Sequence, residues 1–305
     1  MHEILIISGK GGTGKTSITA AFAHSSQSAV ICDLDVDAPD LHLVLRPDPS
    51  DSVPFVASFE PVIDASLCTR CGVCQEMCRF HAIHDLPDGV AVNPLRCEGC
   101  GVCMVFCPEK AIAFTPKQCG EWRISNTRFG PLVHAQLYPG EENSGKLVTR
   151  LRKEAKALAQ SRNAETVISD GPPGIGCPVI SSMSGQDLAV VVTEPTPSGL
   201  HDMRRIIELC GHFRLPTAVI INKCNLHRQM AAEIHAFCEE LALPVISELP
   251  YDTRFVEAMV KGLALTELAE SKTTRALKEA WENIVRMARK VKKEKAMNLI
   301  PEMNH

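Results

Sequence analysis

Three observations in the 305-residue sequence predict an α/β fold, a mostly parallel sheet flanked by helices, interrupted by a small inserted α+β domain. Short β-branched runs alternate with longer helical segments, the pattern of a parallel sheet covered on both faces. A glycine-rich loop separates the first such run from the first helical segment. Eight of the fourteen cysteines fall between Cys68 and Cys107, while residues 1–60 hold only Cys32, so the cysteines mark an inserted module. The expected organisation is a main domain in two parts, 1–60 and 117–293, an insert at 61–116, and a basic, flexible tail at 294–305.

The elements follow in order. Residues 4–8 read as a buried strand, apolar from Ile4 to Ile7 and ending at Ser8 before Gly9, and 14–25 carry the first helix. Residues 29–33 form a second strand. The proline-rich 48–61 reads as a linker into the insert, and 117–146, rich in Gly, Pro, Ser and Asn, as the return from it. Strands at 166–170, 188–193, 216–222 and 245–249 alternate with helices at 198–213, 228–241 and 253–262. A last helix over 273–293 places Leu277, Trp281, Ile284, Val285, Ala288 and Val291 on one face and Lys and Arg on the other, which predicts packing on the sheet.

Composition narrows the function classes. With 45% hydrophobic and 22% charged residues and a net charge of −4, the chain is neither a disordered tail protein nor a dedicated nucleic-acid binder. No apolar run approaches the roughly 18 residues of a membrane span, and the opening residues lack a basic region and a cleavable apolar segment. A cytoplasmic protein is expected, in which clustered cysteines are metal ligands or redox groups rather than disulfides.

Gly9-Lys10-Gly11-Gly12-Thr13-Gly14-Lys15-Thr16 satisfies G-x-x-x-x-G-K-[ST] between a strand and a helix, the context that makes it a phosphate-binding P-loop. Its glycines let backbone N–H groups close around phosphate, with Ser17 next along the helix start. Lys15 is expected to reach the β/γ-phosphates of ATP, and the Thr16 hydroxyl to ligate Mg²⁺. The second lysine, Lys10, makes the loop resemble the deviant P-loop class K-G-G-x-G-K-[ST] of the MinD, ParA and Mrp-type ATPases and the nitrogenase iron protein. In that class the extra lysine reaches the partner subunit's nucleotide, so the resemblance implies an ATP-sandwich homodimer.

Further matches come in the same chain order. Cys32-Asp33-Leu34-Asp35-Val36-Asp37 resembles the class's first switch, which implies water positioning by Asp33, with Asp37 next; three acidic residues spaced by two cannot all face one point in a regular segment, which makes Asp35 structural. Asp170-Gly171-Pro172-Pro173-Gly174 resembles the second switch, D-x-P-P-G, with Asp170 at the Mg²⁺ water shell. Asn222-Lys223 resembles the adenine-reading Asn, and Pro250-Tyr251-Asp252 the loop that closes the base pocket.

The insert carries Cys68-x₂-Cys71-x₂-Cys74-x₃-Cys78 and then Cys97-x₂-Cys100-x₂-Cys103-x₃-Cys107-Pro108, the spacing of a two-cluster bacterial ferredoxin. The fourth cysteine of each run crosses to the other cluster in that pattern. One [4Fe-4S] set is therefore Cys68, Cys71, Cys74 and Cys107; the other is Cys97, Cys100, Cys103 and Cys78. Zinc is the alternative for C-x₂-C pairs, but eight thiolates in a doubled run fit it poorly. Arg79 replaces the proline that often follows the fourth cysteine and puts a cation beside Cys78. Of the remaining thiols, Cys210 and Cys238 read as small buried hydrophobes. Cys177, seven residues after Asp170, stands at the offset of a cluster ligand in the nitrogenase iron protein, and Cys119 lies in a segment expected to be irregular.

As a whole the chain resembles MinD-superfamily ATPases with an inserted ferredoxin. The resemblance implies a dimeric Mg-ATPase coupling nucleotide state to electron transfer, with an unidentified redox or metallocofactor partner protein. A metallocofactor assembly or carrier ATPase and a positioning switch with a redox sensor are the alternatives.

Overall fold

The apolar run that opens the chain becomes a strand with parallel neighbours on both sides in the computed structural model, which describes residues 1–26, 28–141 and 144–298. Ile4 to Ile7 are completely buried, as a strand covered by helices on both faces requires. In chain order the elements are β1 His2–Ser8, α1 Lys15–Ser25, β2 Ala29–Asp33, α2 Leu41–Leu45, β3 Val53–Ile63, α3 Val73–Glu76, β4 Ile83–Leu86, β5 Gly89–Val92, α4 Val102–Val105, β6 Ile112–Thr127, β7 Gly130–Leu137 and α5 Ser144–Ser161. Then come β8 Thr166–Pro173, α6 Cys177–Met183, β9 Leu188–Thr193, α7 Pro197–His212, β10 Thr217–Asn222, α8 Arg228–Glu240, β11 Val245–Leu249, α9 Arg254–Val260 and α10 Lys272–Asn298. The tail expected at 294–305 lies outside the described residues from 299 onward.

The chain divides into two compact units. The larger comprises Met1–Ser52, Trp122–Gln136 and Ser144–His305. Its strands run in the order β11-β10-β9-β1-β8-β2-β7, all pairs parallel, with the last residues of β6 beside β7. Parallel pairing sends the ends of β1, β2, β8, β9 and β10 to one edge of the sheet, where ligands bind in open α/β folds. Register then aligns the switch residues, since Asp33 on β2 stands opposite Asp170 on β8. Helices α1 and α10 close one face through a buried cluster in which Phe22 stacks on Trp281 with ring centroids 5.5 Å apart.

The smaller unit comprises Val53–Glu121 with Leu137–Asn143. Here β3 lies beside β6, and β4 and β5 form an antiparallel hairpin. Its two cysteine runs share one backbone path. Arg70, Gly72 and His81 have φ of 56°, 80° and 49°, and their counterparts Gly99, Gly101 and Lys110 have 61°, 78° and 51°. Gly72 and Gly101 then start the short helices α3 and α4.

Three expectations need correction. The proline-rich 48–61 is mostly strand β3, and 117–146 is largely the β6–β7 hairpin, turning at Arg128-Phe129. Cys119 is therefore completely buried on a strand, with Ser58 Oγ 3.3 Å from its Sγ, and not in irregular chain. Helix α5, unassigned from the sequence, buries Leu147, Val148, Leu151, Ala155 and Ala159 along one stripe.

Candidate functional site

The loop between β1 and α1 is shaped by close approaches that only glycine permits. A Cβ on Gly9 would lie 2.5 Å from Asp202 Cβ, and one on Gly14 2.4 Å from Asn222 Nδ2, while Gly12 and Gly14 have φ of 79° and 91°. The Thr13 hydroxyl is buried without a hydrogen-bond partner, which leaves the loop one polar group for a ligand to satisfy. Asn222 donates to the Thr13 carbonyl at 2.7 Å and accepts from the Lys223 backbone N–H at 2.9 Å, so this side chain braces the loop.

Asp170 is the electrostatic centre. One oxygen accepts from Thr16 Oγ1 at 2.7 Å; the other accepts from Thr19 Oγ1 at 2.8 Å and pairs with Lys15 Nζ at 3.0 Å. Thr19 was not singled out from sequence, although it lies on the same face of α1 as Thr16, three residues on. Asp33 is 1% exposed and accepts from the backbone N–H groups of Asp35 (3.1 Å) and Leu41 (3.3 Å), so its carboxylate organises the following loop. Burial and then the Asp170 carboxylate push it well above the ordinary carboxylate range, against the pull of Lys15. Asp35 lies 4.0 Å from Lys15 Nζ, with its pKa raised to about 6 by burial, Lys15 opposing. Asp37 is exposed.

Lys10 turns the other way. Its ammonium pairs with Glu194 Oε1 at 2.7 Å and donates to Ser198 Oγ at 2.9 Å and Thr196 Oγ1 at 3.2 Å. Glu194 Oε2 also takes Lys223 Nζ at 2.8 Å, and that ammonium donates to the Gly12 carbonyl at 2.8 Å. Burial raises the Glu194 pKa, but the two lysines outweigh it and bring the carboxyl below its ordinary range. Glu194 went unnoticed in the sequence; its place just beyond β9, at the sheet edge that binds ligands, is the signal available there.

In the smaller unit the eight cysteines border two separate cavities. Cys68, Cys71, Cys74 and Cys107 line one. Cys78, Cys97, Cys100 and Cys103 line the other. The fourth cysteine of each run thus stands with the first three of the other. Cys78 Sγ accepts the Ala82 N–H at 3.4 Å and Cys107 Sγ the Ala111 N–H at 3.3 Å. Burial and then neighbouring thiols, Cys68 and Cys71 in one case and Cys97 and Cys100 in the other, raise the pKa of Cys74 and Cys103, with backbone N–H groups opposing. Among the described residues no three His, Cys, Asp or Glu converge tightly enough to hold one metal ion.

The family model described as the CobQ/CobB/MinD/ParA nucleotide binding domain matches residues 4–266. The chain belongs to that family. It is an ATPase of the MinD/ParA type. This ATPase is 32% identical over 286 residues to MJ0578, an uncharacterized protein of Methanocaldococcus jannaschii, covering 92% of its own chain and 96% of the other. It is 23% identical over 303 residues to the cytosolic Fe-S cluster assembly factor Nubp1 homolog of Drosophila sechellia, covering 90% and 78%. Among solved structures, the septum site-determining protein MinD of Pyrococcus horikoshii, complexed with Mg-ADP, matches its fold with a TM-score of 0.58 at 18% identity, covering 95% and 98%.

The other expected residues of the ATPase are scattered. Ser17 lies in the first turn of α1, while Pro250 and Tyr251 follow β11, where the Tyr251 N–H donates to Asn225 Oδ1 at 2.6 Å. Cys177 is exposed at the first position of α6; Cys210 and Cys238 are buried. No helix among the described residues is long and apolar enough to cross a membrane.

Proposed function

We propose that this ATPase binds Mg-ATP, works as a homodimer, and couples its nucleotide state to electron transfer through two [4Fe-4S] clusters held by the smaller unit. The observation that carries the reading is the pairing of cysteines around the two cavities, Cys68, Cys71, Cys74 with Cys107 and Cys97, Cys100, Cys103 with Cys78. Soft thiolates spread around a cavity wall suit a multi-iron group. Thiolates on a single zinc ion, with Zn–S bonds of about 2.3 Å, would converge on one point. The clusters, when bound, supply one-electron chemistry. The chain contributes the ligand sets, and the Ala82 and Ala111 N–H groups donate to Cys78 and Cys107 Sγ.

At the nucleotide site Lys15 offsets phosphate charge, and the Thr16 hydroxyl with the Asp170 carboxylate, 2.7 Å apart, would hold Mg²⁺ and its water shell. Asp35, beside Lys15 and more open to solvent than the buried Asp33, takes the role of orienting the attacking water. Lys10 serves the nucleotide of the partner subunit.

A second reading, an ATP-dependent iron–sulfur assembly or carrier protein, is favoured by the exposed Cys177 just after the second switch and by the name of the Nubp1 relative. Anaerobic assays of electron delivery and of cluster transfer to an apo-acceptor, with and without ATP, separate the two. Electron delivery that requires ATP and fails in Lys15→Ala is expected. Net loss of iron to the acceptor with no ATP effect on electron delivery would replace the first reading by the second. Cysteine variants test the pairing: Cys78→Ser and Cys97→Ser should lose the same cluster, and Cys107→Ser and Cys68→Ser the other.

A further inference from the structure

An ammonium has three N–H donors. In this chain all three of those on Lys10 have acceptors from its own fold: Glu194 Oε1 at 2.7 Å, Ser198 Oγ at 2.9 Å and Thr196 Oγ1 at 3.2 Å. The strongest is the charge-assisted bond to Glu194, whose side chain is only 14% exposed. Thr196 is held in place independently, because its Oγ1 accepts the Gly199 N–H at 3.0 Å and caps α7. Glu194 is anchored from its other oxygen by Lys223, itself bonded to the Gly12 carbonyl. Lys10 therefore has no donor left for a further anion until one of these contacts is exchanged.

We infer that Glu194 is a positioning residue for Lys10, holding it in a resting site so that the two-subunit nucleotide site forms only when a phosphate of the partner's nucleotide replaces the Glu194 carboxylate. The inference rests on the reading that Lys10 acts across the subunit interface. A carboxylate with one negative charge is a modest competitor. The more highly charged triphosphate end of ATP displaces it more readily than the shorter phosphate chain of ADP, so Glu194 makes dimer formation selective for ATP. The exchange costs little in solvated surroundings and more where the pair is partly buried, as here.

Sedimentation velocity with Mg²⁺ and either AMP-PNP or ADP tests this on the full chain. Glu194→Gln keeps the side-chain size and removes the charge. It should dimerise with AMP-PNP at about tenfold lower protein concentration than the natural protein, and should begin to dimerise with ADP. Glu194→Asp, which keeps the charge, should stay within about twofold of the natural protein. Adding Lys10→Ala to Glu194→Gln should cancel the gain. Ser198→Ala, on the surface of α7, removes a second acceptor and should shift dimerisation the same way by about two- to threefold, whether or not the Glu194 variants fold. Unchanged or weaker dimerisation in Glu194→Gln and Ser198→Ala, with Lys10→Ala still defective, would overturn the resting-site role alone. Wild-type dimerisation and turnover in Lys10→Ala would overturn the trans role of Lys10 and the inference with it.

Discussion

Asp33 and Asp35 stand two residues apart on the same segment, and their surroundings give them different work. Asp33 is enclosed by the sheet edge, opposite Asp170, and its two oxygens are committed to the N–H groups of Asp35 and Leu41. Asp35 emerges 4.0 Å from Lys15 Nζ with its side chain 16% exposed. The sequence puts Asp33 at the water, with Asp37 next and Asp35 structural; what sets Asp35 apart is its exposure beside Lys15, which spacing does not show. Asp35→Asn should slow ATP hydrolysis by about a hundredfold or more while Mg-ATP still binds, the pattern of a lost positioning or proton-accepting group. Single-turnover hydrolysis and equilibrium nucleotide binding check this. A hydrolysis rate near that of the natural protein would return the role to Asp33 or Asp37.

At the scale of elements, the strand–loop–helix of the nucleotide site was legible because each of its parts carries a local signal: an apolar run, glycines at positive φ, and a helix start with Lys15 and Thr16. The β6–β7 hairpin was not. Its sequence is rich in turn-forming residues, and its strand character comes from pairing with β2 and β3 and from burial of Trp122, Leu132 and Val133, which no local pattern announces. The hairpin also contains a polar chain, in which His134 Nε2 lies 2.9 Å from Ser125 Oγ, and that oxygen 2.6 Å from Ser50 Oγ. Burial, then the charges of His42 and Arg123, lower the His134 pKa from 6.5 to about 4. Between these values the unfolded chain binds the proton and the folded chain does not, so His134 takes stability away as pH falls from 6.5 towards 4. His134→Gln should therefore reduce the loss of stability between pH 7 and pH 5 by about 2 kcal/mol, measured by urea unfolding at both pH values. An identical pH dependence in the two proteins would show that the imidazole has the same pKa in the folded and unfolded chains.

The whole molecule joins a parallel-sheet ATPase to a small unit whose two cysteine runs repeat one backbone path. The cysteine count marks the small unit, and the doubled spacing implies crossed ligand sets. The cavities group the same cysteines in space, Cys107 with the first run and Cys78 with the second. On the proposed function, two oxidised clusters, each carrying about −2 with its thiolates, would take the formal charge of −4 to about −8 and favour a basic docking face on a redox partner. The most direct test of coupling is an anaerobic redox titration followed by electron paramagnetic resonance, with iron counted per chain, in the presence of Mg-ATP or Mg-ADP. About eight iron atoms per chain and a midpoint potential that differs between the two nucleotides in the natural protein, but not in Lys15→Ala, are the results expected. Zinc in place of iron, or potentials identical with both nucleotides, would contradict an ATPase that couples its nucleotide state to two iron–sulfur clusters.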